Sequence, residues 1–256
     1  MNLGFIGTGE ITKAVILGIL KSKIKFKRIY ISRRNKKISS YLKRKSRKIS
    51  IIVNNQEIID KSNWIFLSVT PEVGKKIIKN LRFRKSQKVI SFISTIKMDE
   101  LKRYIGKNIE IVRAIPLPPI SLGVGPVPIF PKSKSVKNFF NKIGQTIEIN
   151  NEKLSLNFWT MSSMMAPYYE MLNHLSLWLI KKGLNKNKAE DYITSLFLGL
   201  SKNANQNSYK NLQELVKKSQ TPKGLNEQAL RELKKLNFYK NLNTTSNKIL
   251  KRLKGK

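Results

Sequence analysis

The sequence predicts an α/β protein: a Rossmann-like parallel-sheet domain over residues 1–150, followed by an all-α domain over residues 151–256. Three observations predict it. Short apolar, β-rich runs alternate with amphipathic segments through the first half. The first run ends in Gly7-Thr8-Gly9, which leads directly into a helical pattern. Beyond about residue 150 the period-two runs stop, and only helix-length segments remain.

Taken in order, strands are expected at residues 3–6, 28–32, 49–53, 64–69, 88–92 and 110–114, each a short run rich in Ile, Val, Phe or Trp. Helices are expected between them at 10–20, 36–45, 56–61, 71–80 and 98–104. Two further strands, 127–130 and 146–149, flank a helix at 135–143. The second half reads as helices at 156–163, 167–182, 186–204, 212–218, 225–235 and 239–253. Pro167 suits a first helical turn, where its missing N–H costs nothing. Met171, Leu172, Leu175, Trp178 and Leu179 then follow at helical spacing.

Composition narrows the function classes. With 40% hydrophobic and 9% aromatic residues, the chain has enough apolar surface for real cores. The absence of Cys excludes disulfides, thiolate metal sites and cysteine nucleophiles. One His, His174, leaves no conventional zinc set, and no metal is expected. No apolar run has bilayer length, and the first residues lack a basic segment followed by a long apolar one, so a cytoplasmic protein without membrane association is expected. The net charge is +36, with fourteen basic residues between Lys21 and Lys48. A charge of this size would attract polyanions. The excess also runs through 79–88, 132–142 and 248–256 without any nucleic-acid-binding motif, so compositional bias is the simpler reading and specific nucleic-acid binding is not expected.

Gly7 permits a tight turn, and Gly9 lets a pyrophosphate approach the backbone at a helix N-terminus. Thr12 stands where a third Gly or Ala is usual, so the packing of helix on strand must accommodate its hydroxyl and methyl. The second strand ends Ser32-Arg33-Arg34, with no carboxylate to hold a ribose 2′-hydroxyl. Arginine matches a phosphate, so NADP(H) is favoured over NAD(H). The candidate cofactor residues are Gly7, Thr8, Gly9, Glu10 and Ile11, then Ser32, Arg33 and Arg34, then Asn55, and finally Val69, Thr70 and Pro71.

Several strings in consistent order carry a family resemblance. Asp60…Trp64-Ile65-Phe66-Leu67-Ser68-Val69-Thr70-Pro71-Glu72 is similar to D-x-V-F-L-A-V-K-P-Q. Val89-Ile90-Ser91-Phe92-Ile93-Ser94-Thr95-Ile96 is similar to V-I-S-I-x-A-G-I. Ile111-Val112-Arg113-Ala114-Ile115-Pro116-Leu117-Pro118-Pro119 resembles V-R-x-M-P-N-T-P, with the turn Gly123-Val124-Gly125 after it. These are segments of the pyrroline-5-carboxylate reductases. The resemblance implies NADPH-dependent reduction of a cyclic imine carboxylate, pyrroline-5-carboxylate to proline. It also implies a helical C-terminal dimerisation domain, and hence a homodimer or larger homo-oligomer.

In the second half the resemblance places Ser163-Met164-Met165-Ala166-Pro167-Tyr168-Tyr169 on the family's S-G-S-G-P-A-Y, and Thr221-Pro222-Lys223-Gly224-Leu225-Asn226 on its S-P-G-G-T-T. Ser163, Pro222 and Gly224 become candidate substrate-binding residues, and Thr221 and Asn226 candidate catalytic ones. Both glycines of the first segment and both threonines of the second are replaced, Leu117 replaces an Asn, and Thr70 replaces a Lys. These departures fall mostly in the substrate half. A related reductase acting on another imine or carbonyl, or a non-catalytic cofactor-binding paralogue, therefore stays open.

Single residues have plainer readings. His174 is expected to be an interior structural histidine, and Met161, Met164 and Met165 to be packing residues. Arg113 either anchors the Pro116–Pro119 turn or meets a substrate carboxylate. Glu170 and Asp191 have no visible partner and receive no role.

Overall fold

The structure, a computed structural model, describes residues 1–93, 95–206 and 211–255. In its first half the apolar runs and amphipathic segments alternate as β1 (Leu3–Ile6), α1 (Glu10–Lys21), β2 (Ile29–Ser32), α2 (Lys36–Lys45), β3 (Ile49–Ile52) and α3 (Asn55–Asp60). They continue as β4 (Trp64–Leu67), α4 (Pro71–Ile78), β5 (Lys88–Ser91), α5 (Met98–Ile105) and β6 (Glu110–Ala114). A 3-10 turn (Pro118–Leu122), β7 (Pro126–Phe130), α6 (Lys134–Phe140), β8 (Gln145–Glu148) and a second 3-10 turn (Glu152–Leu154) follow. Side-chain caps set several helix starts: Asn35, Asn54 and Ser133 accept from the backbone N–H groups of Ile38, Gln56 and Val136.

The strands form one sheet in the order β3-β2-β1-β4-β5-β6-β7-β8. Strands β1 to β6 are mutually parallel. β7 runs antiparallel to β6, and β8 runs parallel to β7. The parallel sheet expected from sequence is present, with one antiparallel step, β6 to β7, at its edge. The physical reason is the connection 115–125, which holds only a 3-10 turn and two left-handed glycines, Gly123 and Gly125, instead of the longer crossover that parallel neighbours need.

Strand alternation feeds two cores, one on each face. Leu3, Phe5, Ile29, Ile31, Phe66 and Ile90 pack with Val15, Ile16 and Ile19 of α1, Leu42 of α2 and Phe140 of α6. Ile6, Ile65, Leu67, Val89 and Ile111 face the other way, onto Ile58, Ile59, Ile78, Leu101 and Ile105 of α3, α4 and α5. The stacked rings of Phe5 and Phe66, with centroids 4.4 Å apart, join the central strands β1 and β4. Such a pair contributes about 0.5–1.5 kcal/mol beyond the burial of its area.

The chain divides into compact units at 1–159 and 160–256. Residues 151–159 stay with the sheet unit, although the texture of the sequence changes at 150. Glu152 holds them there: its carboxylate accepts from the Met98 N–H at 2.7 Å and pairs with the buried Arg113. The remaining helices are α7 (Ser155–Ser162), which crosses that division, then α8 (Met165–Lys181), α9 (Lys186–Gln206), α10 (Leu212–Lys218), α11 (Leu225–Lys235) and α12 (Phe238–Leu253). Among the described residues of α8 to α12, only Ser176, Ala189 and Ile193 are buried. Trp178, Tyr192, Leu198 and Leu200 stand exposed, so these helices present apolar surface that a second chain would cover. No helix among the described residues is long and apolar enough to cross a membrane.

Candidate dinucleotide and substrate sites

The sheet order reverses between β1 and β4, and the crevice at the carboxyl ends of such strands is where α/β sheets hold ligands. β1 enters that crevice through Gly7 (φ +99), where a Cβ would stand 2.1 Å from the carbonyl oxygen of Ser68. Any side chain there would collide with backbone that β4 holds in place. Gly9, the N-cap of α1, has nothing within 4 Å of where a Cβ would point, and no side chain caps the helix. The first N–H groups of α1 are therefore left for an outside acceptor, and open space lies beside them.

Hydroxyl groups brace the turn from beneath. The Gly7 N–H donates to Ser32 Oγ at 3.0 Å, and Thr12 Oγ1 donates to the Gly7 carbonyl at 2.7 Å. Thr8 Oγ1 donates to the Ser32 carbonyl at 2.5 Å and lies 2.9 Å from Ser32 Oγ. Thr8, Thr12 and Ser32 are all buried. The Thr12 hydroxyl that the packing had to accommodate is thus a donor to the turn. Ser32 uses its hydroxyl on Gly7 and Thr8, so among the residues ending β2 the arginines are the ones left to meet a phosphate.

An open cavity of about 360 Å³ lies alongside, lined by Gly7, Ser32, Arg33, Arg34, Asn55 and Val69 of the candidate set. Ile6, Lys36, Val53, Val73 and Ile77 complete the lining. Sequence reasoning passed over these five. Lys36 could have been found from its place directly after the arginine pair, at the first position of α2. Six candidates stand off the cavity wall. Thr8 is buried beneath the turn, Gly9 opens beside it, and Ile11 packs against the core. Glu10 is exposed and pairs with Lys13 at 3.0 Å. Thr70 is the N-cap of α4 and Pro71 opens that helix.

The candidate substrate residues lie in the helical unit. Residues 219–224 turn the chain from α10 into α11. The Gly224 N–H donates to the Thr221 carbonyl at 2.8 Å, and a Cβ on Gly224 would meet Thr221 Oγ1 at 2.2 Å. Asn226 Nδ2 donates to the Ser219 carbonyl at 2.9 Å, closing the turn, while Thr221 and Pro222 are exposed beside it. Ser163 is half-buried at the end of α7 and donates to the Thr160 carbonyl at 2.6 Å.

Several plainer expectations change. His174 is not interior: its side chain is 73% exposed, one helical turn from Glu170, with its Nδ1 2.9 Å from the Glu170 carboxylate. Helix α8 simply presents that face outward, and Glu170 gains a partner that its i, i+4 spacing already allowed. Met161 is exposed, while Met164 and Met165 are half-buried. Arg113 is buried and pairs with Glu152, a partner that neither reading of it anticipated. Ser94, within the second resembling string, lies outside the described residues.

Comparison with known proteins now bears on both units. Residues 2–95 match the family described as NADP oxidoreductase coenzyme F420-dependent, and residues 153–255 match the pyrroline-5-carboxylate reductase dimerisation family. The helical unit belongs to the pyrroline-5-carboxylate reductase dimerisation family. A pyrroline-5-carboxylate reductase of Haemophilus influenzae is 23% identical over 216 residues, 80% of this chain and 79% of the relative. In fold, the chain is similar to 1-pyrroline-5-carboxylate reductase from Streptococcus pyogenes (TM-score 0.84, 22% identity, covering 100% of this chain and 99% of that one). It is equally similar to the Plasmodium falciparum pyrroline carboxylate reductase solved with NADP bound (TM-score 0.84, 21% identity, 100% and 97% covered). Membership through the dimerisation family fits the apolar faces of α8 and α9 to a homo-oligomer.

Proposed function

We propose that this chain is an NADPH-dependent reductase of pyrroline-5-carboxylate, acting in the cytoplasm as a homodimer or larger homo-oligomer. The observation that carries the cofactor half is the braced Gly7 turn opening onto a cavity that Arg33, Arg34 and Lys36 line. Bound NADPH would supply a hydride for the imine carbon, and a proton on nitrogen completes the saturated ring.

The chain's own residues have separable tasks in this reading. The uncapped N-terminus of α1 receives the pyrophosphate, with Gly9 leaving room for it. Arg33 and Arg34, helped by Lys36, neutralise the 2′-phosphate, since no carboxylate at the end of β2 repels it. In the helical unit the turn closed by Asn226 presents the Thr221 hydroxyl to a small substrate, with Pro222 and Gly224 beside it, and Ser163 offers a further substrate contact at the end of α7. These groups position and neutralise; the difficult bond chemistry belongs to the cofactor.

A second reading, reduction of another imine or carbonyl, draws on Leu225. It is 84% exposed at a position where the resemblance expects a hydroxyl. The deciding experiment mixes purified protein with NADPH and racemic pyrroline-5-carboxylate and follows the nicotinamide absorbance. Consumption supports the first reading. No consumption, together with an NADPH-dependent rise in Tm, removes it and leaves another substrate or a non-catalytic paralogue.

A further inference from the structure

The parallel topology of β1 to β6 sends every helix-to-strand connection to the N-terminal edge of the sheet and every strand-to-helix connection to the cofactor edge. The helix-to-strand connections are residues 22–28, 46–48, 61–63, 79–87 and 106–109. They carry four, two, one, four and one Lys or Arg, twelve in all, and no Asp or Glu. The strand-to-helix connections at 7–9, 33–35, 53–54, 68–70 and 92–97 carry three, namely Arg33, Arg34 and Lys97. Within the connections, the basic residues are therefore concentrated on the edge opposite the cofactor cavity.

All twelve of these side chains are exposed. Among the described residues, only Lys61 and Arg84 face a carboxylate, Glu57 at 2.6 Å and Asp60 at 3.8 Å. Neighbouring connections lie against one another: an Arg28 guanidinium nitrogen donates to the Arg47 carbonyl at 3.1 Å, and Lys48 Nζ sits 5.4 Å from the Phe26 ring centroid. Six strands at about 4.8 Å spacing make this row roughly 24 Å long. The aromatic residues in these connections, Phe26 and Phe83, are half-buried, and no large apolar side chain in them is exposed. The row thus offers nothing to insert into lipid or to stack on an unpaired base. It offers a rigid line of cations, and a duplex presents roughly 14 phosphates over the same length.

We propose that the N-terminal edge of the sheet is a nucleic-acid-binding face that holds the phosphate backbone of a duplex without reading its sequence. Cations spaced along several rigid connections suit a repeating array of anions better than one small anion. Because this edge lies opposite the Gly7 turn, duplex and NADPH are held together rather than in competition.

The test uses the full-length protein and a fluorescein-labelled 20-base-pair duplex, with binding measured by anisotropy across a salt series. Wild type should bind at low salt with a steep negative slope of log affinity against log salt. A variant carrying Lys23→Gln, Lys25→Gln, Arg47→Gln and Lys85→Gln should weaken binding at least tenfold, and its slope should be shallower by about 2–4. A control carrying Lys181→Gln, Lys182→Gln, Lys186→Gln and Lys188→Gln, equal in charge but in the helical unit, should stay within twofold of wild type. Equal losses in the two variants would show unlocalised attraction and overturn the proposal. Absence of duplex binding would overturn it, as would binding to anionic vesicles with the duplex ignored. Displacement of the duplex by NADPH would overturn the placement on the far edge.

Discussion

Thr12→Val tests whether the hydroxyls beneath the glycine turn prepare it for a dinucleotide. The substitution keeps the branched shape of a side chain that is fully buried, and removes the donor that reaches the Gly7 carbonyl at 2.7 Å. Gly7 is itself buried, so its carbonyl has little access to water as a substitute. Leaving a buried acceptor unpaired costs about 1–3 kcal/mol. For a protein of this size each kcal/mol lowers Tm by roughly 2–4 °C, which gives an expected fall of about 2–12 °C by calorimetry. The bond is made without a ligand, so its loss should also loosen the turn that a pyrophosphate must meet. A loss of 1.4 kcal/mol in that step corresponds to about a tenfold rise in the Kd for NADPH. Fluorescence titration should show that rise, while kcat at saturating NADPH stays within about twofold because the reacting end is not touched. Thr12→Ser, which restores the donor, should recover the affinity. A lowered Tm with an unchanged Kd would refute the reasoning, since it would make Thr12 a packing residue with no bearing on the cofactor.

Three further outcomes are expected. Arg33→Ala with Arg34→Ala should raise the Kd for NADPH by about 10–100-fold, at 1.5–3 kcal/mol for a charged hydrogen bond, and leave NADH within twofold; equal losses for both cofactors would sink the 2′-phosphate assignment. Arg113→Met strands Glu152, which is 24% exposed, so the cost should be about 2–3 kcal/mol, near the lower end for a broken buried pair; adding Glu152→Gln, which removes the stranded charge and keeps an acceptor for the Met98 N–H, should restore most of it in a thermal melt. Burial would raise the pKa of Glu110, but hydrogen bonds from Lys88 and Ser133, together with the Lys88 charge, hold it below its ordinary value of 4.5. A depressed carboxyl contributes stability above that value and loses it as pH falls, so Glu110→Gln should lower Tm at pH 7, and the difference from wild type should shrink as pH falls below 4.5 and through the depressed pKa.

Periods and punctuation made the elements legible. Strand runs such as 3–6 and 64–67, and the helix opened by Pro71, are local signals that need no knowledge of partners. The glycine turn was legible for the same reason, because the strand before it and the helix after it are adjacent in the chain. Pairings between distant residues were not. Arg113 meets Glu152 39 residues away, and nothing around either residue announces the other. Ser32 sits in sequence among the phosphate candidates, yet the parallel pairing of β2 with β1 brings its hydroxyl to Gly7, 25 residues earlier. The reversal of β7 depended on the length of a connection, and α8 could not show from its spacing alone which face would stay outward.

The turn at 219–226 shows which of its residues can report on the substrate. Gly224 is fixed by its own neighbour, since a Cβ there would stand 2.2 Å from Thr221 Oγ1; its retention follows from packing and carries no news of a ligand. Leu225 is under no such constraint, being 84% exposed, so what occupies it is set by what it meets in the assembled protein. Leu225→Thr should therefore change stability by less than about 0.5 kcal/mol. If pyrroline-5-carboxylate is the substrate, a hydroxyl at this position adds a hydrogen bond that contributes about 0.5–1.5 kcal/mol, and kcat/KM should rise about threefold to tenfold. A fall in kcat/KM, with Tm unchanged, would mean that the leucine is matched to the molecule this turn binds, and that molecule would then have an apolar flank where pyrroline-5-carboxylate is polar.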